Sequence, residues 1–370
     1  MNNKPYVQEI NDLQNKCAHY FAAANTYKGF ESFFDEIFNT EKLERIYILK
    51  GGPGAGKSTL MKKTALTAQS KGLTPTCFHC SSDPLSLDGV VIKEIKTAIL
   101  DGTAPHVFDP KYAGAKEIIV NLGEAWNLES LARDCAEIVS LTSGKSKRYR
   151  AAYRLLDGAK SATDELTDIG RECLDIEKMK GAVNRFCEKA LRKGDSVGSQ
   201  VAIADAISCD GLVRFFTPEK QAESLYFVKD AKNTAPIFFK ELEQKAISAG
   251  VETIRGICPL DPKQCSFLYF PARSVCVSMY DDDFCKQLEH AERQYKIINL
   301  GRFFNTAEFR KSRERYRFIE KCKDALMAQA CKELEQAGKD HAQLEKIYAK
   351  ATDYEKISYM SADIISKMFK

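Results

Sequence analysis

The chain matches itself. Cys80, Asp83 and Pro84 of "FHCSSDP" recur as Cys258, Asp261 and Pro262 of "GICPLDP", each 178 residues further on. The same spacing relates Gly72 to Gly250, Asn121-Leu122-Gly123 to Asn299-Leu300-Gly301, and Asn127 to Asn305. It also relates Leu166 to Leu344, Asp175 to Asp353, and Glu177-Lys178 to Glu355-Lys356. Nearer the N-terminus small insertions shift the register: "RIYILKG" aligns with "SLYFVKD" one residue out, and "KGFESFF" with "DGLVRFF" four out. A repeat of this length constrains a fold strongly, because both copies must build one arrangement of elements. The expected organisation is a tandem duplication with its seam near residue 199, giving domains 1–198 and 199–370. Each copy is long enough to bury a core of its own.

The first copy carries the sharpest local signal, "RIYILKGGPGAGKSTLMKK" at residues 45–63. Ile46 to Leu49 form an apolar run suited to a buried parallel strand. Gly51-x-x-x-x-Gly56-Lys57-Ser58 is a complete P-loop pattern, and "STLMKKTALTAQSKG" after it has helical spacing and stops at Gly72. Strand, glycine loop and helix together make an anion cradle: the loop turns its backbone N–H groups inward, and the helix N-terminus adds positive dipole. In this pattern Lys57 supplies charge to the β- and γ-phosphates. Ser58 offers a hydroxyl to Mg²⁺, Thr59 reaches the α-phosphate, and Gly52, Pro53, Gly54 and Ala55 shape the loop.

A second acid is needed to complete the metal site. "TAILD" reads as an apolar strand ending in Asp101, the Walker B form, against the alternative of an ordinary Asp-Gly turn. Asp83 and Asp88 lie at expected strand ends, where they would orient water or a substrate hydroxyl, or simply start turns before Pro84 and Gly89. His106 would sense the γ-phosphate or relay a proton, or be a plain loop histidine. Lys57, Asp101, Asp83 and His106 are the candidate catalytic residues, with Ser58 and Asp101 as metal ligands. There is no Glu beside Asp101, where many motor-type ATPases carry a base.

Opposite the P-loop the second copy has "DAKNTAPIFFKE", residues 230–241, with no glycine and no Lys-Ser pair. Pro236 falls near the position of Lys57 or Ser58 and has no N–H to donate. The second copy therefore reads as a nucleotide-binding fold without its phosphate site. Asp281-Asp282-Asp283 lies about two residues from the position of Asp101 and reads as solvated surface.

Each copy then continues into helical sequence, 127–142 with 146–191 and 306–337 with 340–369, expected as a helical hairpin appended to its own α/β core. The first contains "GKSKRYRAAYR", with Lys145, Lys147, Arg148, Arg150 and Arg154. These residues are either a cationic lid over phosphates or a solvated basic face. The second copy's basic run, "RKSRERYR", is displaced from that position.

Composition excludes other classes. Of 370 residues, 44% are apolar and 29% charged, ordinary globular usage rather than disorder. A formal net charge of +4 does not argue for nucleic acid. No apolar stretch is long enough to span a bilayer. The segment "MNNKPYVQEINDLQNK" has no apolar region of a secretory signal. A cytoplasmic location follows as an expectation, with the thirteen cysteines as reduced thiols. Cys77 and Cys80 have CxxC spacing, but on a strand they face opposite ways and no second ligand pair follows.

The segments "RIYILKGGPGAGKSTLMKK", "FHCSSDPLSLDGVVI" and "AILDGTAPH", with "HYFAAANTYKGFESFF" before them, resemble a bacterial family of P-loop ATPases with duplicated domains. The resemblance runs along essentially the whole chain and is most specific over 19–123. It implies ATP binding with Mg²⁺, hydrolysis, and nucleotide or metal roles for Gly51, Gly56, Lys57, Ser58 and Asp101. Members often have a P-loop in both halves, and this chain departs from them there. Three functions stay open: an ATPase or ATP-driven switch acting on a protein or small-molecule partner, a small-molecule or nucleotide kinase, and a non-catalytic ATP-binding protein. Duplication with long helices favours the first, while the missing Glu favours the others.

Overall fold

A computed structural model describes residues 17–105, 107–191, 194 and 198–370. His106 and the N-terminal segment 1–16 lie outside the described residues. Among the described residues the first half forms eight strands: β1 (Ala18–Phe21), β2 (Ala23–Thr26), β3 (Gly29–Ser32), β4 (Arg45–Lys50), β5 (Thr76–His79), β6 (Leu87–Ile92), β7 (Thr97–Asp101) and β8 (Glu117–Asn121). Six of them make one mainly parallel sheet in the order β1-β5-β6-β7-β4-β8, while β2 and β3 pair as a separate hairpin. The exception is β6, antiparallel to both β5 and β7. The tight 80–86 loop reverses the chain there, closed by Cys80 N–H donating to Ser86 O at 2.9 Å and Ser86 N–H to Asp83 O at 2.9 Å.

The second half repeats this plan in β9 (Ser199–Ala202), β10 (Asp205–Ser208), β11 (Gly211–Arg214), β12 (Ser224–Lys229), β13 (Thr253–Ile257), β14 (Cys265–Phe270), β15 (Val275–Met279) and β16 (Lys296–Asn299). Its sheet order, β9-β13-β14-β15-β12-β16, has the same connectivity. Even the small hairpins agree at the four-residue shift: Thr26 Oγ1 donates to Gly29 O, and Ser208 Oγ to Gly211 O, both at 3.0 Å. One element distinguishes the halves without changing their length, a helix Asp282–His290 capped by Asp281, whose carboxylate accepts from Phe284 N–H at 2.8 Å. The acidic run is thus a helix start, with Asp282 paired to Lys286.

Among the described residues, the longer helices framing the two sheets and their loops are α1 (Lys57–Ser70), α2 (Cys135–Glu172), α3 (Ile176–Phe186), α4 (Ala235–Ser248), α5 (Thr306–Lys350) and α6 (Tyr354–Met368). Helix breaks expected near 143–145 and 338–339 are absent. Gly144 and Gly338 lie inside α2 and α5, at a cost of roughly 1 kcal/mol each that long packed helices absorb. The chain turns instead at Asp175 and Asp353. Asp175 accepts from Lys178 N–H at 3.0 Å, and Asp353 accepts from Glu355 and Lys356 N–H at 3.0 Å, so each caps the next helix.

By contact the chain forms two units. The first comprises residues 1–153, 206–213 and 330–370, and the second 154–205 and 214–329. The chain passes between units within α2, at both ends of the segment 206–213, and within α5. In the first unit Ile357, Ile364 and Met368 of α6 join Leu49, Leu60, Met61 and Leu122 in one core. In the second, Met179 and Val183 of α3 join Phe238, Phe239, Leu242 and Leu268. The backbone repeats the arrangement. Asp353 N–H donates to Ala125 O at 2.8 Å and Asn127 N–H to Ala351 O at 2.7 Å, while Asp175 N–H donates to Phe303 O at 2.8 Å and Asn305 N–H to Cys173 O at 2.7 Å.

The helical hairpin expected on each half's own core is therefore exchanged. Helix length explains it: the 38 residues of α2 extend about 57 Å, too far for α3 to return to the sheet the chain has just left. Opposite faces of the two sheets are closed by Phe34, Phe38, Ile46 and Ile48 in one unit, and by Phe227, Phe284 and Leu288 in the other. All thirteen cysteines are free, with Cys77 buried and Cys80 half-buried. Among the described residues no helix is long and apolar enough to cross a membrane.

Candidate functional site

The glycine loop leaves β4 and enters α1 at Lys57. Gly54 and Gly56 adopt left-handed backbone, φ +70° and +83°, which β-carbon-bearing residues adopt only at a cost. A Cβ at Gly54 would also lie 2.8 Å from the carbonyl oxygen of Glu345 on α5. A Cβ at Gly52 would come within 3.0 Å of Tyr348 and 3.3 Å of Trp126, whose rings pack 5.4 Å apart against the loop. Gly51, Gly52, Pro53 and Gly54 are half-buried, Ala55 is buried and Thr59 is exposed. No side chain caps α1 and its first turn holds no acid, so its N–H groups keep the anion-attracting character of a helix start.

Lys57 Nζ donates to Gly51 O at 2.5 Å and Gly52 O at 2.8 Å, and faces Asp101 Oδ2 at 3.5 Å. Ser58 Oγ accepts from Leu87 N–H at 3.0 Å. Asp101 ends β7, with Oδ1 accepting from Thr103 N–H at 2.9 Å and Thr103 Oγ1 at 2.5 Å. Burial raises its pKa, opposed by Lys57 and Thr103. Antiparallel β6 starts at the edge where β4, β5 and β7 end, and its pairing of Gly89 with Leu100 sets buried Asp88 next to Asp101 along the strands. Among the described residues no group of three or more His, Cys, Asp and Glu has metal-holding geometry. Ser58 and Asp101 offer a hydroxyl and a carboxylate oxygen, the donor types that Mg²⁺ takes beside phosphate and water oxygens.

Asp83 belongs to the turn. Its Oδ1 accepts from Leu85 N–H at 3.3 Å and its Oδ2 from Ser86 Oγ at 2.6 Å. Asp261 builds the matching turn of the second half, accepting from Lys263 N–H at 3.1 Å.

Two residues outside the expected site join it, together with Lys145 of the basic run. Helix α5 presents His341 and Glu345, 3.8 Å apart between Nε2 and Oε1. Helix α2 presents Lys145, whose Nζ lies 3.4 Å from His341 Nδ1. Burial lowers the His341 pKa to about 4, with Lys145 and Lys57 adding to the effect. Burial and Asp83 raise that of Glu345, and burial lowers that of Lys145. A cleft of about 610 Å³ is lined by Asp83, Cys209, Gly338, His341, Ala342 and Glu345, among others. The rest of the basic run faces solvent: Lys147, Arg150 and Arg154 are exposed, and Arg148 pairs with Glu333 at 3.2 Å. His341 and Glu345 were hidden from sequence reasoning because they lie in helix assigned to the other half. The only available signal was that their repeat counterparts are Thr163 and Thr167.

The second unit shows the same frame without this chemistry. Ala235 stands at the position of Lys57, Pro236 at that of Ser58 and Met279 at that of Asp101. Its loop supplies its own anion: Asp230 Oδ2 accepts from Asn233 N–H at 2.8 Å, and Oδ1 from Thr234 and Ala235 N–H at 2.9 and 2.8 Å. Asn233 Nδ2 then donates to Thr163 O at 3.1 Å and Thr167 Oγ1 at 2.5 Å. Lys160 faces Asp261 at 3.4 Å, where the first unit has Gly338 and Asp83.

No family model matches the chain, and no curated protein or solved structure is significantly similar to it.

Proposed function

We propose that the first unit binds a nucleoside triphosphate, ATP, at residues 51–59 and hydrolyses it, as a P-loop ATPase of the duplicated kind that the sequence resembles. The observation carrying this reading is Lys57, an ammonium held on the carbonyls of Gly51 and Gly52 and facing Asp101 at the end of the adjoining strand. Backbone N–H groups of the loop and of the α1 start would take the phosphate oxygens, and Lys57 would move from the carbonyls to the β- and γ-phosphates. Ser58 and Asp101 would hold Mg²⁺, which supplies charge stabilisation to the phosphates when bound. The second unit keeps the frame as a structural partner, since the Asp230 carboxylate already satisfies the N–H groups a phosphate would need.

The cleft beside the loop favours a second reading, phosphoryl transfer to a small acceptor lodged there. One experiment separates the two. Thermal unfolding is followed with and without Mg-ATP, beside phosphate and ADP release. ATP at a hundredfold its Kd adds about 2.7 kcal/mol, a rise of several degrees for a unit of this size. Lys57→Ala abolishes that rise. Phosphate release without acceptor supports the ATPase, and turnover only with added acceptor supports the kinase. A wild-type protein that unfolds at one temperature with and without Mg-ATP refutes both.

A further inference from the structure

The strand that ends in Asp101 has no Glu after it, so a proton acceptor for the attacking water must come from elsewhere. Helix α5 brings one. Its Glu345 carbonyl oxygen lies so close to Gly54 that a Cβ there would sit at 2.8 Å, so the backbone at Glu345 rests on the loop itself. Its carboxylate lines the cleft with Asp83 and stands 3.8 Å from His341, which Lys145 approaches at 3.4 Å. We propose that Glu345, contributed by the second half of the sequence, is the proton acceptor for the water that attacks the γ-phosphate; this rests on the nucleotide-binding function proposed for the first unit.

In that step the water oxygen bonds to the γ-phosphorus while the bond from that phosphorus to the β–γ bridging oxygen breaks. ADP leaves with the bonding pair, the water proton passes to the Glu345 carboxylate, and inorganic phosphate is the second product. Partial burial and the neighbouring Asp83 push the pKa of this half-exposed carboxylate up, the direction that favours accepting a proton. His341, kept neutral by burial and by two nearby ammonium groups, flanks Glu345 without adding a positive charge that would weaken it.

The internal duplicate supports the choice. Where the second unit has lost Lys57, Ser58 and Asp101, it has also lost His341 and Glu345, carrying Thr163 and Thr167 in their places. Asp83 behaves differently: its counterpart Asp261 persists without a phosphate site, and both Asp83 oxygens are engaged within its turn. Turn formation accounts for Asp83, whereas Glu345 is present with the glycine loop and absent without it.

The test uses the full-length protein with Glu345→Gln, Glu345→Asp and Glu345→Thr, the last installing the residue the second unit tolerates at the matching place. Mg-ATP affinity and steady-state turnover are measured separately. A lost general base costs about 10²–10⁴-fold, so Glu345→Gln should bind Mg-ATP within about threefold of wild type while kcat falls at least ~100-fold. ATP should then remain intact in the complex, with Glu345→Asp intermediate. Glu345→Gln or Glu345→Thr turning over within about threefold of wild type overturns the proposal. So does a loss of affinity that matches the loss of kcat/KM, which would mark a structural contact. Wild-type binding without turnover overturns the base assignment and the hydrolysis it serves, whereas absent binding overturns the nucleotide-binding function as well.

Discussion

Asp230 occupies the backbone N–H groups of the second half's loop with its own carboxylate, and replacing it has a calculable cost. Its carboxylate accepts three backbone N–H groups at 2.8–2.9 Å, those of Asn233, Thr234 and Ala235. These are the donors that open α4, and Thr234 makes no side-chain cap of its own. A helix cap is worth about 0.5–2 kcal/mol, and an ionised acceptor belongs at the upper end. Asp230 is exposed, so water replaces the carboxylate on some of the donors and limits the loss. Asp230→Ala should therefore cost about 2 kcal/mol, and Asp230→Asn about half of that, because one amide oxygen still accepts. In urea, with m near 3 kcal/mol/M, the transition of the second unit moves down by roughly 0.7 M for Ala. Circular dichroism of the helices against urea measures it. If Asp230→Ala shifts the transition no more than an ordinary exposed substitution, about 0.5 kcal/mol or less, the carboxylate is not the acceptor that holds the loop.

Two further outcomes concern the first unit. His79 is fully buried between His19, 2.9 Å from its Nε2, and Pro84 O, 2.7 Å from its Nδ1, and burial with His19 lowers its pKa from 6.5 to about 3. A lowered folded-state value means the stabilisation is complete above pH 6.5 and is lost as pH falls toward 3. The cost reaches about 2–3 kcal/mol at pH 4.5; His341, lowered to about 4, adds to the same slope. Unfolding free energies at pH 7 and 4.5 should differ less in His79→Gln, and an unchanged slope rejects the assignment. Ile357 of α6 packs into the core of the first sheet, and its Cγ2 would lie 3.3 Å from a Cβ at Gly56. Ile357→Ala should cost about 2–4 kcal/mol by urea titration, where exposed Tyr359→Ala costs little; equal effects would place α6 outside that core.

Much of the α/β plan was legible. The apolar run before Gly51, the helix after Ser58 and the strand ending at Asp101 lie where their periodicity put them, since each is decided by local pattern. The repeat was also legible, and the two six-stranded sheets share one connectivity. The direction of β6 was not. Reversal at the 80–86 loop depends on hydrogen bonds that Cys80, Asp83 and Ser86 make only after the turn has closed. The helix breaks were misplaced because Gly144 and Gly338 are weak local signals overridden by packing, whereas Asp175 and Asp353 act through the geometry of a cap rather than through composition. The Asp-x-Glu-Lys pairs of the repeat marked those caps in plain view.

The sequence by itself determined that there are two copies of one design, that only the first can form a glycine loop with a lysine, and that the second carries proline where a donor is needed. Those are properties of adjacent residues, and local chemistry settles them. The tertiary structure decided which residues share a site. Helices too long to fold back carry α3 to the second sheet and α6 to the first, so His341 and Glu345 reach a loop more than 280 residues earlier in the chain. It also decided that the second loop closes on the carboxylate of Asp230. Both depend on contacts between distant residues, which no local pattern encodes and only the folded chain brings together.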